Sequence, residues 1–70
     1  MSVGNRLKEE RKRLSMNQTQ LAKIGNVSKR TQINYESGRR APNSNYLNAI
    51  ADSGVDIQYI ITGNRGKLSG

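Results

Sequence analysis

Cysteine and histidine are both absent from this 70-residue sequence. Without cysteine there is no disulfide framework and no thiolate metal site. Without histidine the chain also lacks the commonest general base and the commonest metal ligand. Catalysis would have to depend on five carboxylates, none of which forms an obvious pair in a pocket-like context. We therefore expect neither an enzyme nor a bound metal or other cofactor.

Long apolar runs are missing as well. No segment approaches the roughly 18 apolar residues that cross a membrane, and the N-terminus lacks the apolar core of a secretory signal. We therefore expect a soluble, cytoplasmic protein. A chain of this length holds one domain with a small core, because such a domain buries only about 60% of the surface that its unfolded chain exposes.

Acidic residues are few compared with basic ones. Twelve lysines and arginines stand against five acids, which gives a net charge of +7. The basic residues are concentrated in segments 6–13 and 23–40, and segment 41–62 contains none. This asymmetry favours a binding face for a polyanion over general solubility. A membrane surface would require large apolar residues opposite the basic ones on a helix, which the first helix lacks, so we favour nucleic acid.

Start and stop signals for helices recur five times, whereas no useful length of sequence alternates as a strand does. The predicted helices are Ser2–Leu14, Gln18–Ile24, Lys29–Ser37, a fourth capped by Asn43 or Ser44 and ending at Gly54, and Ile57–Thr62. The other predicted N-caps are Asn17, paired with Gln20 in a capping box, Ser28 and Asp56. Gly25 and Asn26 are predicted to form the turn after the second helix.

These elements predict an all-α, compact five-helix domain over residues 1–63. Residues 64–70 are predicted to be a flexible tail or the start of a linker. The apolar positions on the inward helix faces predict the core, which we expect to contain Val3, Leu7, Leu14, Leu21, Ile24, Val27, Tyr35, Leu47, Ile50, Val55 and Ile60. Ala51 is also expected on the inward face of the fourth helix.

The third predicted helix carries the functional signal. At about 100° per residue, Val27, Thr31 and Tyr35 share its inward face. The residues that point away from the core are Lys29, Arg30 and Ile33. Gln32 and Asn34 lie on the two flanks. Arginine and lysine can donate to guanine, and asparagine or glutamine can pair with adenine, so this helix suits the major groove of DNA. The alternative is an ordinary solvated polar face.

Ile33 and the basic residues of the first helix have two interpretations each. Ile33 either is exposed without a role or contacts a thymine methyl group. We interpret Lys8, Lys12 and Arg13 as a solvated basic face, and leave their proximity to phosphates open.

Several segments in order resemble the Cro/C1-type helix-turn-helix family of phage repressors. They are Gln18-Thr19-Gln20-Leu21-Ala22, Val27-Ser28-Lys29-Arg30-Thr31, Asn34-Tyr35-Glu36-Ser37-Gly38-Arg39, Pro42 and the last helix with its flanks, Gly54–Gly63. Each segment is a weak signal by itself, but their order and spacing from Val3 to Gly63 are specific. The resemblance implies a lambda-repressor-like fold in which the second and third helices form the helix-turn-helix.

The resemblance also implies roles for individual residues. The side chains expected at base edges are Ser28, Lys29, Arg30, Ile33 and Asn34, of which Ile33 comes from the helix geometry above. The residues expected at DNA phosphates are Gln18, Arg39 and Arg40. Arg11 and Glu36 resemble an internal ion pair of the family, in agreement with the need of an arginine on an apolar stripe for a partner.

Two positions depart from the family pattern. Asn26 stands where the turn usually has glycine, with Gly25 one residue early; asparagine tolerates the same backbone conformation, so we expect the turn to form. Gln32 stands where the third helix usually has isoleucine or valine. Either this helix is slightly rotated, or Gln32 is partly buried and hydrogen-bonded.

The family resemblance implies a double-stranded DNA operator read by a homodimer, because one such domain reads only a few base pairs. The last helix is the expected dimer interface through Ile57, Tyr59 and Ile61, unless these residues only cover the first and fourth helices. Some antitoxins resemble this family too, so an antitoxin or protein-interaction module is the alternative function. No small-molecule ligand is evident. The chain is either the N-terminal part of a longer repressor or a free-standing one.

Overall fold

The structure, a computed structural model that describes residues 2–65, contains five α-helices. They are α1 (Val3–Arg13), α2 (Gln18–Ile24), α3 (Lys29–Ser37), α4 (Ser44–Ala51) and α5 (Ile57–Thr62). The described residues contain no strand. The predicted all-α, five-helix fold is confirmed, and α2, α3 and α5 have the predicted bounds.

A side-chain cap starts each of these helices. In every case the side-chain oxygen of the N-cap residue accepts a hydrogen bond from the backbone N–H three residues later; the caps are Ser2, Asn17, Ser28, Asn43 and Asp56. Asn17 and Gln20 form the predicted reciprocal capping box. Of the two candidates for the α4 cap, Asn43 fills the position. Such caps satisfy N–H groups that have no partner within the helix.

The core is built mainly from the predicted apolar residues. Its fully buried members are Leu7, Leu21, Tyr35, Tyr46, Ile50, Val55 and Ile60, and Val3, Leu14, Val27 and Leu47 pack against them while partly buried. Two predictions are wrong: Ile24 is 40% exposed, and Ala51 is exposed.

A tyrosine that the sequence analysis left out explains both errors. The residues of α2 and its C-cap that face inward are Leu21, Ala22 and Gly25, and the ring of Tyr46 occupies the space beside Gly25. Ile24 is therefore turned outward. On α4, Tyr46 and Ile50 share the inward face at a spacing of four residues, which leaves Ala51 on the outer side.

The first helix, α1, contacts both the end of α3 and the last turn of α5. A Cβ at Gly4 would lie 2.5 Å from the carbonyl oxygen of Tyr35, so only glycine allows α1 to approach the end of α3 this closely. At the other end, the Arg6 guanidinium donates to the carbonyl oxygens of Ile60 at 2.9 Å and Ile61 at 3.2 Å. These carbonyls belong to the last turn of α5, where helices lack internal donors.

The predicted tail begins against the domain. Arg65 donates to the Glu10 carboxylate at 2.7 Å, and its guanidinium carbon lies 3.9 Å from the ring centroid of Tyr59. The remainder of that predicted tail, residues 66–70, lies outside the described residues. None of the helices in segment 2–65 has the length and apolar character needed to cross a membrane.

Candidate nucleic-acid interface

The outer face of α3 carries the residues that were predicted to meet base edges. Ser28, Lys29, Arg30 and Ile33 are exposed, and Asn34 is half-buried. Ile33 keeps 41% of its surface exposed although it is a large apolar side chain. One turn and a half of helix therefore presents two cations, an amide and an apolar group together.

Ser28 has a structural task at this face. Its hydroxyl oxygen accepts from the Thr31 backbone N–H at 3.1 Å, and the hydroxyl donates to Thr31 Oγ1 at 3.1 Å. The cap fixes the start of α3. The side chains that follow it are thereby held at a defined position relative to the turn.

The loop after α3 folds back onto the end of that helix. The backbone N–H groups of Arg39 and Arg40 both donate to the carbonyl oxygen of Asn34, at 3.0 and 3.3 Å. The Arg39 and Arg40 side chains are exposed. Both cations predicted to meet phosphates are therefore held beside the exposed face of α3.

The cations of this face differ from three arginines elsewhere in the domain in having no acidic partner in the described part of the chain. Arg11 pairs with Glu36, and Arg13 and Arg65 pair with Glu10. Within residues 2–65, by contrast, the cations of α3 and its following loop form no ion pair with a carboxylate; they are Lys29, Arg30, Arg39 and Arg40. Four cations without an acidic partner therefore lie on α3 and the loop after it, in addition to Lys8, Lys12 and Lys23, which also form no ion pair among the described residues.

Gln18 stands at the first position of α2 and is half-buried. Its side-chain amide donates to Glu36 Oε1 at 3.2 Å. The glutamine expected at a phosphate is thus tied to the interior of α3. Because it lies next to the free N–H groups of the helix start, a phosphate there would meet both the amide and the backbone.

Arg11 and Glu36 form a two-pronged ion pair between α1 and α3. Arg11 Nε donates to Glu36 Oε2 at 2.8 Å and Nη2 donates to Oε1 at 3.0 Å, with both side chains almost entirely buried. A third donation reaches the carbonyl oxygen of Met16 at 2.9 Å. Burial by itself raises the pKa of the Glu36 carboxyl, but hydrogen bonds from Arg11, Gln32 and Gln18 outweigh it and hold the pKa below its ordinary value.

Gln32 is fully buried and hydrogen-bonded on both sides of its amide. Its nitrogen donates to Glu36 Oε2 at 2.8 Å, and its oxygen accepts from the Tyr46 hydroxyl at 2.5 Å. Of the two explanations offered for Gln32, the structure therefore supports the second, a buried and hydrogen-bonded side chain. The position on the flank that the helical projection gave to Gln32 is wrong, because its side chain is fully buried and hydrogen-bonded to Tyr46 and Glu36.

A small groove between α1 and α3 adjoins the exposed face. It has a volume of about 270 Å³, and its lining residues are Asn5, Lys8, Gln18, Ile33, Glu36 and Ser37. Lys8 and Asn5 thus lie beside two predicted DNA-contacting residues. Lys8 was interpreted above as part of a solvated basic face with its proximity to phosphates left open, and its place beside α3 depends on tertiary packing. The spacing of three residues between Asn5 and Lys8 was the available signal that they share a helix face.

The three residues predicted for a dimer interface do not lie on one surface. Ile57 and Ile61 line an apolar groove between α4 and α5 of about 520 Å³, together with Leu47 and Ala51. Ile61 is 51% exposed. Tyr59 instead donates to Glu9 Oε1 at 2.5 Å and carries the Arg65 guanidinium on its ring, so contacts within the chain already occupy it.

Comparison with known proteins agrees with this arrangement. A family model described as helix-turn-helix matches residues 7–53, which is more than half of the chain. The chain belongs to the helix-turn-helix family. No curated protein and no solved structure gives a significant match. The matched segment includes α2, the turn at Gly25 and Asn26, and α3, so the helix-turn-helix of the family lies where the exposed cations lie. Domains of this family bind DNA and regulate transcription.

Proposed function

We propose that this helix-turn-helix protein is a transcriptional regulator, of the kind found as phage or prophage repressors, that acts in the cytoplasm on a specific operator. It has no catalytic role. The observation that carries the proposal is the exposed face of α3 with the loop after it, where Lys29, Arg30, Arg39 and Arg40 face solvent without an ion pair within the described residues. Cations without acidic partners on a protruding helix suit the phosphates and base edges of a duplex.

The exposed face of α3 supplies the contacts to base edges. Near its start, Lys29 and Arg30 can donate to guanine O6 and N7, and Asn34 can pair with adenine. Ile33, exposed between them, supplies an apolar contact for a thymine methyl group. Ser28 lies at the start of the same face, where it can meet a base edge or the adjacent DNA backbone while its hydroxyl caps the helix.

Phosphate contacts come from both sides of α3. Gln18 precedes it on α2, and Arg39 and Arg40 follow it in the loop. Such contacts fix the orientation of the protein on the duplex and carry no sequence information directly. Lys8 and Asn5 of α1 lie beside Gln18 and extend this set of phosphate-facing residues.

Specific binding is further proposed to use a homodimer on two half-sites about one helical turn apart. The apolar groove of α4 and α5 is the surface that supports this part of the proposal, because Ile61 is exposed there and the described residues that line the groove carry no charge. Tyr59 takes no part in it, since Glu9 and Arg65 occupy its hydroxyl and its ring.

A selection from a random-sequence library of DNA duplexes tests the function directly. Purified protein should enrich a recurrent, roughly palindromic site, and the affinity for that duplex should fall steeply as salt is raised. No retention of any duplex at low salt would contradict the proposal, and a protein that then co-purifies with the chain would favour an interaction module.

Substitution of a phosphate-facing cation sharpens the same test. Arg39→Gln should reduce the slope of log K against log salt by about 0.9 for each phosphate that the protein no longer neutralises, while leaving the selected sequence unchanged. The charge-matched control is Arg13→Gln, which removes a cation at the end of α1 that pairs with Glu10. Equal changes in slope for the two variants would contradict the assignment of Arg39.

A further inference from the structure

Both departures from the family pattern meet one side chain. Gly25, in the turn of the helix-turn-helix, and Gln32, inside α3, each contact Tyr46 of α4. Tyr46 is 1% exposed and is the largest fully buried side chain of the domain. Its ring lies edge-on to that of Tyr35, with 4.7 Å between the centroids and 64° between the planes.

The first contact explains the glycine that comes one residue early. A Cβ at Gly25 would overlap the ring of Tyr46, so the ring can reach the turn only because no side chain stands there. Asn26 then takes the left-handed conformation of the turn, at a φ of 61°. The glycine at position 25, one residue earlier than in the family pattern, thus leaves the space that the Tyr46 ring requires.

The second contact explains the glutamine. The Tyr46 hydroxyl donates to Gln32 Oε1 at 2.5 Å, which leaves the Gln32 nitrogen to donate to Glu36 Oε2 at 2.8 Å. Burial raises the pKa of the Tyr46 phenol, so the hydroxyl keeps its proton as a donor. Only one orientation of the Gln32 amide satisfies both partners.

The hydrogen bonds continue from this pair to the DNA-facing surface. Glu36, held by Gln32 on one oxygen, accepts from the Gln18 side chain on the other at 3.2 Å. The sequence of donors and acceptors therefore runs from Tyr46 through Gln32 and Glu36 to Gln18. We call these four residues the Tyr46 chain; it begins on α4, passes through the interior of α3 and ends at the start of α2.

We propose that Tyr46 is a positioning residue for DNA recognition. It sets the placement of α3 against the turn through Gly25 and orients the Gln18 amide through Gln32 and Glu36, and this proposal rests on the DNA-binding function proposed above. An apolar residue in place of Gln32 would fill the same space without linking Tyr46 to Glu36. The hydrogen bonds of Gln32 therefore connect Tyr46 to Glu36 and, through Glu36, to Gln18, which core packing alone does not require.

The variant that tests this is Tyr46→Phe, which keeps the ring on Gly25 and removes only the hydroxyl. The matched control is Tyr35→Phe, which makes the same chemical change in the partner ring; the Tyr35 hydroxyl has no hydrogen bond among residues 2–65. Both variants are to be compared well below their melting temperatures, so that each is fully folded.

Two readouts separate positioning from stability. In ¹⁵N-resolved spectra of the free protein, Tyr46→Phe should shift the side-chain amide resonances of both Gln32 and Gln18, and Tyr35→Phe should leave that of Gln18 in place. On the duplex enriched from the random-sequence library, Tyr46→Phe should lower affinity by at most about tenfold, because only the part of the hydrogen-bond energy that orients Gln18 contributes to binding, and Tyr35→Phe should leave affinity unchanged.

A double variant removes the ambiguity of an unpaired buried group. Gln32→Leu together with Tyr46→Phe leaves no buried amide oxygen without a donor, although Glu36 loses the Gln32 donor and keeps those of Arg11 and Gln18. Measured at a temperature where both variants are folded, the affinity of the double variant should stay low. Recovery of affinity in the double variant, or an unmoved Gln18 resonance in Tyr46→Phe, would overturn the proposal. If the unmodified protein binds no duplex, the proposed function fails and the role of Tyr46 in recognition fails with it; the Gln18 resonance then still reports whether the Tyr46 chain orients that amide.

Discussion

Polar side chains occupy a large part of this small interior, and each has a partner. Glu10, Arg11, Gln32 and Glu36 are all buried. Their hydrogen bonds reach α1, α2, α4 and the start of α5. Removing one member of such a group leaves another buried without a partner, which costs more than the missing bond itself. The angles between the helices therefore depend on a few named residues.

Glu10 is the residue whose protonation we expect to matter most for stability. Its carboxylate accepts from Arg13 at 2.7 and 3.1 Å, from the Asp56 N–H at 2.9 Å and from Arg65 at 2.7 Å. These bonds, that of Arg13 foremost, outweigh burial and lower the Glu10 pKa from 4.5 to about 2. Because the folded state has the lower pKa, its contribution is complete above the unfolded-state value and is lost as the pH falls from about 5 towards 2.

Glu10→Gln should accordingly lower the free energy of unfolding by about 1 to 3 kcal/mol at pH 7, as measured by urea denaturation. The deficit relative to the unmodified protein should shrink as the pH is lowered to about 2.5, where the native carboxyl approaches protonation. Glu9→Gln, the same change at the neighbouring and partly exposed carboxylate, should cost much less. A Glu10 deficit that stays constant between the two pH values would contradict this account.

At the scale of the elements, the sequence predicted what local chemistry determines. The bounds of α2 follow from the Asn17–Gln20 capping box and from Gly25, and those of α3 follow from the Ser28 cap and from Gly38. Each signal lies within a few residues of the feature it specifies. Such signals are legible without knowledge of the tertiary structure.

The predictions that failed depend on which helices meet. Ile24 fits an apolar stripe on α2, but the interior beside Gly25 is filled by the ring of Tyr46 from α4, and Ile24 is exposed. Helical projection puts Gln32 at a boundary, but Gln32 is fully buried and accepts a hydrogen bond from Tyr46 of α4. Lys8 could not be placed beside Gln18 before the approach of α1 to α3 at Gly4 was known. Periodicity gives the faces of each helix and leaves their partners undetermined.

The start of α3 allows its structural and DNA-binding tasks to be separated. Ser28→Asp keeps a good N-cap and adds a negative charge where the helix dipole favours one, so the melting temperature should be maintained or raised. The same carboxylate would face DNA, and affinity for the selected duplex should fall about tenfold or more. Melting curves and binding isotherms measure the two effects.

Gln58→Glu is the charge-matched control, since it adds one negative charge on the exposed side of α5. It should leave the affinity nearly unchanged. If Ser28→Asp bound the selected duplex as tightly as Gln58→Glu does, Ser28 would not lie at the DNA surface.

At the scale of the whole molecule, its two distinctive surfaces differ in chemistry. The face of α3 is cationic, whereas the groove of α4 and α5 is apolar and lies in the segment that contains no lysine or arginine. Two copies joined through such grooves would bring together lining residues that carry no charge. The proposed dimer requires that this contact leave both copies of α3 free to enter successive major grooves.

Ile61 is the residue that best tests this dimer, because it lines the groove and is 51% exposed in the single chain. Ile61→Gln should leave the melting temperature of the monomer nearly unchanged but weaken self-association, which sedimentation equilibrium measures. Affinity for the full palindromic duplex should then fall, while affinity for a single half-site is retained. Ile24→Gln is the control, since Ile24 is 40% exposed and lies outside the groove. If the ratio of full-site to half-site affinity were the same in both variants, the groove would not be the dimer interface, and α3 would have to read its operator from a different arrangement of copies.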